Sequence, residues 1–362
     1  MGSMTALELA RRGRRVIGFD RFTPPHPFGS SHGKSRIIRE AYFEHPQYVP
    51  LVQRAYERWA ELERDAGEQL LVPTGGLMIG PPDGILISGA RRSAVEHGLP
   101  FELLSPTQVT QRFPVFTPGV GDVGLFEPRA GVLLPELAVA AALRLAQAAG
   151  AELHFDEPVS SWTAGERVTL RTRAGHRSVG HVVLAAGAWL TSDLTRLTLP
   201  LQVVRQTLFW FSSEQLALTA PDRMPIFIWE WEPGRMFYGF PDLGDGVKLA
   251  IHHEGETTTP DQVRRTVYPD ESQELVEVVT SRLAGLSVPP RESAVCLYSN
   301  TPDGDFILDR HPDDDRVLVA SPCSGHGFKF APAIGEALAD LVDQRAPRFD
   351  LTPFKLSRFI PA

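Results

Sequence analysis

The residues best suited to chemistry lie in two glycine-rich segments that also carry cations. The first, residues 29–39, contains two arginines that are three positions apart, Arg36 and Arg39, and the second, residues 324–330, contains Lys329. A guanidinium offers a bidentate fork to a carboxylate. Two such cations beside a loop rich in glycine, serine and histidine predict a site for a small anion. The alternative is that the arginines form an exposed pair on a helical turn, because arginine is usually exposed.

The second segment also predicts a backbone that a flat ligand can approach closely. Gly325 and Gly327 lack the Cβ atoms that would hold a ring at a distance. Pro332 follows shortly and is typical of the first turn of a helix, and a helix N-terminus favours negative charge on the group it faces. A glycine-rich connection without a ligand is the alternative.

Further polar side chains lie on predicted strands among apolar neighbours. Lys248 is either a surface lysine that extends its ammonium to water or a charge held inside the protein. His252 follows four residues later on the same predicted face. His253 is expected on the opposite face and is not a candidate site residue. Cys296 lies in an alternation of apolar residues that is also typical of a buried, inert thiol.

The opening of the chain matches the second half of a dinucleotide-binding fingerprint. That fingerprint consists of a strand, G-x-G-x-x-G, a helix, a strand and an acidic residue about 20 positions on. Gly2 precedes a predicted helix at the place of the third glycine, which packs helix against strand, and Asp20 ends the next strand at the place of the ribose-binding acid. We therefore expect the first strand and the first two glycines to be absent, most simply because the start codon was placed too late. An ordinary helix followed by an ordinary strand is the alternative.

The elements that must position these residues follow from apolar periodicity. Helices are predicted at 3–12, 46–66, 134–149, 260–268, 270–284 and 331–343. Strands are predicted at 16–20, 151–155, 158–162, 167–172, 181–187, 202–211, 226–231, 236–240, 247–252, 292–299, 306–308 and 317–319. Helices that alternate with strands at both ends of the chain, with β-rich sequence between them, predict a nucleotide-binding domain interrupted by a second domain.

Composition narrows the class of protein. Of 362 residues, 43% are hydrophobic and 22% are charged, which is ordinary for a globular protein. The net charge of -8 argues against a nucleic-acid partner. No apolar stretch approaches the roughly 20 residues of a membrane span, and no leader indicates export. Cys296 and Cys323 give neither a disulfide framework nor a CxxC metal pair, so we expect a cytoplasmic protein without a bound metal.

The chain is similar to the monomeric sarcosine oxidase and N-methyltryptophan oxidase family through nearly its whole length, to about Leu341. The order and spacing of the similar segments are together specific: GSSHGKSRIIR at 29–39, YGFP at 238–241 with Lys248 and His252 after it, AVCLY at 294–298 and SGHGFKF at 324–330. The resemblance implies an α/β fold, in which a doubly wound FAD-binding domain carries an inserted α+β substrate domain on a mostly antiparallel sheet. It places residues 1–45, 134–200 and 300–345 in the FAD-binding domain, 46–133 and 201–299 in the substrate domain, and 346–362 in a C-terminal tail.

The resemblance also assigns residues to the cofactor. It implies that Cys296 is tethered covalently to the flavin, a reaction that needs a thiolate and nearby positive charge, which His32 and Arg36 could supply. The further FAD-contacting residues that it implies are Gly2, Asp20, Val159, Gly187, Gly325 and Gly327.

On the substrate side, the resemblance implies that Arg39 and Lys329 bind a carboxylate. It places Lys248 beside the flavin, where a fixed cation would promote reaction with oxygen, and makes His252 an active-site histidine. Tyr238 and Tyr298 match aromatic residues of the substrate pocket, although packing in the core is the default role for either tyrosine. Trp229 and Trp231 are candidates for the pocket entrance.

The family therefore predicts an FAD-dependent oxidase of N-alkyl or cyclic amino acids that gives an imine and hydrogen peroxide, and a monomer. One alternative is a dehydrogenase of the same superfamily that passes electrons to a quinone or a carrier protein, against which Lys248 argues. A non-catalytic remnant without flavin is the other alternative, and it rests on the missing first strand.

Overall fold

The computed structural model describes residues 1–359. Its helices are α1 (Gly2–Arg11), α2 (Tyr48–Ala66), α3 (Ile85–Glu96), α4 (Pro106–Arg112), α5 (Pro135–Ala148), α6 (Leu216–Thr219), α7 (Gln273–Thr280) and α8 (Ala331–Val342). Its strands are β1 (Ile17–Phe19), β2 (Arg36–Ile38), β3 (Leu71–Pro73), β4 (Gly76–Gly80), β5 (Glu102–Leu104), β6 (Val123–Glu127), β7 (Gly131–Leu133), β8 (Glu152–His154), β9 (Val159–Thr163), β10 (Val168–Thr172), β11 (Gly175–Val179), β12 (Val182–Leu184), β13 (Gln202–Phe211), β14 (Ile226–Glu232), β15 (Arg235–Phe240), β16 (Val247–Ile251), β17 (Glu256–Thr258), β18 (Glu292–Asn300), β19 (Ile307–His311) and β20 (Asp314–Ser321). Within the part of the chain so described, no helix is both long and apolar enough to cross a membrane.

The parallel strands of the predicted nucleotide-binding region lie in separate sheets. β1 pairs in parallel with β8, and β12 pairs in parallel with β20. Helix α1 packs against α5 and α8. Gly335 of α8 permits this approach, because a Cβ atom there would lie 2.8 Å from the carbonyl carbon of Met4. Strands and helices thus alternate as the sequence predicts.

A large, mostly antiparallel sheet forms the rest of the molecule. Its strand order is β17-β13-β16-β15-β14-β4-β6-β5, and β18 pairs with β13. The register places Lys248 of β16 opposite Trp210 of β13 on one side and Phe240 of β15 on the other. It also places Cys296 of β18 opposite Gln206 of β13. The α/β fold class and the mostly antiparallel second sheet are both confirmed.

Helix α2 connects the core to the cation-bearing loop near the C-terminus. Its buried stripe includes Val49, Val52 and Trp59, which lie three to seven positions apart on one side of the helix. Burial of a large apolar side chain stabilises a fold by roughly 1.5–3 kcal/mol. The indole of Trp59 also donates to the carbonyl of Lys329 at 2.7 Å, so the packing of α2 fixes the backbone at Lys329.

The sequence predictions of helices and strands fail in several places. The helix predicted at 260–268 is wrong, because the carbonyls of Arg264 and Thr266 accept from the Arg205 guanidinium and residues 263–268 are irregular. Arg36 begins a strand, so the alternative of an arginine pair on a helical turn is also wrong. Between residues 67 and 133 no element was predicted, although β3 to β7 lie there with α3 and α4.

Candidate active site

A cavity of about 1360 Å³ brings the predicted site residues together. Its lining includes Gly2, Asp20, Arg36, Arg39, Val159, Gly187, Tyr238, Lys248, His252, Cys296, Tyr298, Gly325, Gly327 and Lys329. His32 is the exception, because it is buried but does not line the cavity. Residues from segments that are far apart in the sequence therefore converge on a shared space.

The end of the cavity that is predicted to bind the nucleotide is formed by the start of α1 and the end of β1. Asp20 follows β1, and one of its carboxylate oxygens accepts from the amide of Phe22 at 2.9 Å. Gly2 differs from its predicted role, because a Cβ atom there would lie 3.9 Å from Cβ of Ala185, which is an ordinary contact. Close packing of helix on strand therefore does not require a glycine at this position.

The loop before α8 requires glycine at both predicted positions. A Cβ atom on Gly327 would lie 1.7 Å from the carbonyl oxygen of Pro322. Gly325 has a φ of +76°, and a Cβ atom there would lie 2.8 Å from the ring of Tyr298. These contacts hold the loop against the cavity, with Lys329 in the short 3-10 turn that precedes α8.

A guanidinium lies beside the thiol of Cys296. Nη2 of Arg36 is 3.4 Å from Sγ, and the Cys296 side chain is buried. Arg36 is fixed in place by donating to the carbonyls of Ser30 and Ser35, each at 2.7 Å. Positive charge at this distance stabilises a thiolate, which is the reactive form of cysteine.

His32 does not supply the positive charge that the sequence analysis assigned to it. Burial, and then the nearby charge of Arg36, lower the pKa of His32 to about 3. The imidazole is therefore neutral near pH 7, and Nε2 has no hydrogen-bond partner within residues 1–359. The charge beside Cys296 comes from Arg36.

Lys248 is a buried ammonium and not a surface lysine. Its Nζ lies 4.8 Å from the centre of the Phe240 ring and 5.6 Å from that of Trp210. It donates to the carbonyls of Gly33 (2.7 Å) and Ser35 (3.0 Å) and to Oγ of Ser35 (3.1 Å). Burial lowers the pKa of Lys248, but the two carbonyls can only accept and the Ser35 hydroxyl can also accept, so these partners suit the three hydrogens of an ammonium. We therefore assign a positive charge to it.

Neutral polar groups surround the space between these cations. The hydroxyl of Tyr298 lies 3.4 Å from the hydroxyl of Tyr238 and 3.4 Å from Nδ1 of His252. Burial raises the pKa of both tyrosines and lowers the pKa of His252, so all three are uncharged near pH 7. His253 was expected to face away, but β16 ends at Ile251 and φ of His253 is +62°. Its ring consequently lies 3.9 Å from that of His252, measured between centres.

Arg39 is buried and forms a bidentate ion pair that the sequence analysis missed. Its Nη2 donates to both carboxylate oxygens of Glu44, at 2.8 and 2.5 Å, and its Nη1 donates to the carbonyl of Ala41 at 2.9 Å. Burial opposes ionisation of Glu44, but Arg39 and other nearby cations outweigh it and lower the pKa of the carboxyl. Glu44 and Ala41 thus take three of the five guanidinium hydrogens, and Nε of Arg39 is buried without a hydrogen-bond partner within residues 1–359.

Lys329 lies close to this ion pair and is less fully hydrogen-bonded than Lys248. Its Nζ donates to the carbonyl of His326 at 2.7 Å and to the hydroxyl of Tyr42 at 3.4 Å. Burial, and then the charge of Arg39, lower the pKa of Lys329 to about 7, although Glu44 acts in the opposite direction. The third hydrogen of the ammonium is available to a ligand in the cavity.

The tryptophans expected at the entrance lie elsewhere, and some site residues were missed. Trp229 is buried in the core with its ring stacked on Phe237, Trp231 contacts the edge of the same ring, and neither lines the cavity. Glu44 and Tyr42 were missed, although they follow Arg39 by five and three residues. The sequence did contain a signal for them, because an aromatic and then an acidic residue follow shortly after the pair Arg36 and Arg39.

Comparison with known proteins agrees with this geometry. The family described as FAD dependent oxidoreductase (DAO) matches residues 1–341. The chain is 42% identical over 347 residues to a monomeric sarcosine oxidase of Streptomyces avermitilis, covering 94% of this chain and 90% of that protein. It is 36% identical to an N-methyl-L-tryptophan oxidase of Yersinia pestis, covering 99% and 96%. The fold is similar to that of NikD, an unusual amino acid oxidase essential for nikkomycin biosynthesis, with a TM-score of 0.85, 24% identity and coverage of 98% and 94%.

The residues that line the cavity suit the cofactor of that family. Asp20 follows β1 where a ribose-binding acid is required, and Gly325 and Gly327 line the cavity in the loop before α8. Cys296, with Arg36 beside it, provides a thiol next to a fixed cation. The family match over residues 1–341 and the identity to both curated relatives agree with these observations. The chain therefore belongs to the FAD-dependent oxidoreductase family, and within it to the group of the monomeric sarcosine oxidases and N-methyltryptophan oxidases.

Proposed function

We propose that the protein is an FAD-dependent oxidase of N-methyl or cyclic secondary amino acids, with the FAD tethered through Cys296. The observation that carries the proposal is the convergence of Arg39 and Lys329 with Lys248 and Cys296 on the same cavity. One pair of cations suits the carboxylate of the substrate. Lys248 and Cys296 suit the redox cofactor and oxygen.

The charges at the carboxylate end suit a substrate with one acidic group. Arg39, Lys329 and Glu44 together carry a net charge of +1 when Lys329 is protonated, and a single carboxylate brings that total to zero. The guanidinium hydrogens of Arg39 that Glu44 and Ala41 do not take, together with the third hydrogen of Lys329, are the donors left for it. A substrate with two carboxylates would leave one buried charge without a partner, which is costly.

The amine end is bordered by groups that favour the reactive, uncharged amine. Tyr238, Tyr298 and His252 are neutral, whereas Arg36 and Lys248 are cations on the same cavity. Like charges nearby disfavour the protonated form of an amine. The nitrogen lone pair that oxidation of the C–N bond requires is therefore available in the bound substrate.

When bound, FAD supplies the chemistry that takes two electrons from the C–N bond and delivers them to oxygen. The substrate loses two electrons and two protons to become an imine, oxygen gains them to become hydrogen peroxide, and water hydrolyses the imine to a carbonyl compound and an amine. Lys248 would stabilise negative charge that develops on oxygen, because its ammonium is fixed by three acceptors in a site of low polarity. Arg36 would stabilise the thiolate of Cys296 for the tether.

The same cation bears on the choice between an oxidase and a dehydrogenase. A dehydrogenase that passes electrons to a quinone or a carrier protein gains nothing from a buried ammonium that stabilises charge on oxygen. Lys248 is 2% exposed, so it cannot contact a protein carrier. The buried position of Lys248 therefore favours oxygen as the electron acceptor.

The experiment is a measurement of oxygen uptake and peroxide by the purified full-length gene product. Sarcosine, N-methyltryptophan and proline are compared with the methyl ester of each, which keeps the amine and removes the negative charge. We expect one peroxide per substrate consumed, and a loss of kcat/KM of at least about tenfold for each ester. Quinone reduction without peroxide, or equal rates for acids and esters, would contradict the proposal.

The tether is tested separately on a denaturing gel. Fluorescence of the flavin should migrate with the wild-type polypeptide after acid precipitation and be lost from Cys296→Ser. Cys323→Ser is the matched control, because Cys323 also lines the cavity but has no guanidinium described beside it. Fluorescence that survives in Cys296→Ser would exclude Cys296 as the point of attachment.

A further inference from the structure

Tyr42 lies between the two cations that we assign to the substrate carboxylate. Its ring centre is 4.3 Å from Cζ of Arg39 and 5.3 Å from Nζ of Lys329. The side chain is fully buried, and its hydroxyl lies 2.5 Å from Nδ1 of His326 and 3.4 Å from Nζ of Lys329. Tyr42 thus contacts both cations, through its ring in one case and through its ring and hydroxyl in the other.

The directions of the hydrogen bonds around Tyr42 follow from its partners. Nε2 of His326 lies 3.1 Å from the carbonyl of Gly304, which can only accept. In the neutral imidazole Nε2 therefore carries the hydrogen, and Nδ1 must accept from the hydroxyl of Tyr42. The lone pairs of that hydroxyl are then left for Lys329. Burial lowers the pKa of His326 to about 4 and raises the pKa of Tyr42, so this arrangement holds across the physiological range.

We propose that Tyr42 and His326 are positioning residues that hold Lys329 as a carboxylate-binding ammonium. Two hydrogens of Nζ are taken by the carbonyl of His326 and by the Tyr42 hydroxyl, and the third is left for the cavity. The inference rests on the proposed function, because it presumes that Lys329 binds the carboxylate. The hydroxyl favours the ammonium because it is oriented by His326 to accept and not to donate.

The charged and titratable groups that face Lys329 come from several elements. They are Arg36 of β2, Arg39, Tyr42 and Glu44 of the segment that follows β2, His252 after β16, and His326 of the loop before α8. Of these, only Glu44 is negative, and it is already bound to Arg39. Loss of the Tyr42 acceptor should therefore make Lys329 harder to protonate.

The test is calorimetric titration of the holoenzyme with propionate, a carboxylate without an amine, between pH 6 and pH 9. For the wild type we expect affinity to fall as the pH rises above about 7, and binding to take up a proton in that range. For Tyr42→Phe we expect about tenfold weaker binding at pH 7 and a fall in affinity that begins at lower pH. Tyr48→Phe is the control, because its ring lies 4.9 Å from that of Tyr42 but its hydroxyl donates to Asp305.

A pair of His326 variants separates positioning from general damage to the fold. Asn can place an acceptor close to the position of Nδ1, whereas Leu cannot, so His326→Asn should bind propionate more tightly than His326→Leu. If Tyr42→Phe binds propionate as tightly as the wild type, with the same pH dependence, the inference is overturned. If Lys329→Met also binds normally, the carboxylate site itself is wrong and the proposed function fails with it. Loss in Lys329→Met with normal binding in Tyr42→Phe would overturn only the role of Tyr42.

Discussion

The regions around Lys248 and Lys329 place buried lysines in different environments. Nζ of Lys248 has a protein acceptor for each of its three hydrogens, at 2.7 to 3.1 Å. Nζ of Lys329 has a carbonyl at 2.7 Å and a hydroxyl at 3.4 Å, and the ion pair of Arg39 and Glu44 is nearby. Both side chains are at most 5% exposed, so burial alone does not distinguish them.

The two lysines differ in how many of their ammonium hydrogens have a protein acceptor. We call an ammonium with all three hydrogens accepted a fixed charge, and one with a hydrogen to spare a binding charge. An ammonium whose hydrogens are all taken acts by its field on a neighbouring group, without forming a new hydrogen bond. An ammonium with a hydrogen to spare gains by binding an anion. Lys248 therefore suits the oxygen reaction, and Lys329 suits the capture of a carboxylate.

The largest expected effect follows from removal of the fixed charge. Lys248→Met should slow reoxidation of the reduced enzyme by oxygen about 10²- to 10³-fold, because stabilisation of the developing negative charge is lost. The rate at which substrate reduces the enzyme without oxygen should change little. Rapid mixing with oxygenated buffer measures the first rate, and anaerobic mixing with substrate measures the second. Equal oxygen rates in wild type and variant would remove the argument for Lys248.

Removal of the binding charge should have a smaller effect on a different step. Lys329→Met should raise the KM for the substrate by about 10- to 100-fold, because a charge-assisted hydrogen bond is lost. Steady-state kinetics with the acid and with its methyl ester provide the measurement. The ester, which carries no negative charge, should show little difference between the two enzymes. An equal loss for acid and ester would show that the variant damages more than carboxylate binding.

The pH dependence of anion binding sharpens the comparison further. Lys329 has a lowered pKa, about 7, so its cation is present below that pH and is lost as the pH rises through it. Propionate should therefore bind more weakly as the pH rises, and its inhibition constant should increase by up to about tenfold per pH unit above 7. Lys329→Arg should flatten this decline, because a guanidinium stays protonated. A decline that is identical in wild type and Lys329→Arg would assign the titration to another group.

The smallest effect is expected when one of the three acceptors around Lys248 is removed. Ser35→Ala deletes the hydroxyl at 3.1 Å from Nζ and leaves both carbonyls. The oxygen reaction should slow by only about two- to fivefold, since two acceptors still hold the ammonium. Ser160→Ala is a suitable control, because Ser160 also lines the cavity but donates to the carbonyl of Arg171. An effect as large as that of Lys248→Met would show that the hydroxyl itself is essential.

Much of the site was predictable because its residues lie in short segments with their own chemistry. Arg36 and Arg39 share one segment, and Gly325, Gly327 and Lys329 share another; their residue types made them candidates, and the family resemblance gave their expected roles. The long strands of the large sheet, such as β13, were also predicted from their apolar residues. Residues whose role depends on a short segment were therefore found.

The residues that were missed depend on contacts between distant parts of the chain. The hydroxyl of Tyr42 meets a nitrogen of His326, which is 284 positions away in the sequence, and no local pattern encodes that approach. His253 was misplaced because period-two alternation stops where β16 ends. The helix predicted at 260–268 failed because the guanidinium of Arg205 binds backbone carbonyls in that segment. In the segment 260–268, tertiary contacts outweighed local preference.

The most direct test of this division of roles is a double-variant cycle on the two buried lysines. Oxygen reactivity and carboxylate affinity are measured by rapid mixing and by propionate titration in wild type, Lys248→Met, Lys329→Met and the double variant. We predict that each single variant changes one quantity, and that the double variant combines the two changes without coupling beyond about 0.5 kcal/mol. Either single variant changing both quantities to the same extent would contradict the account.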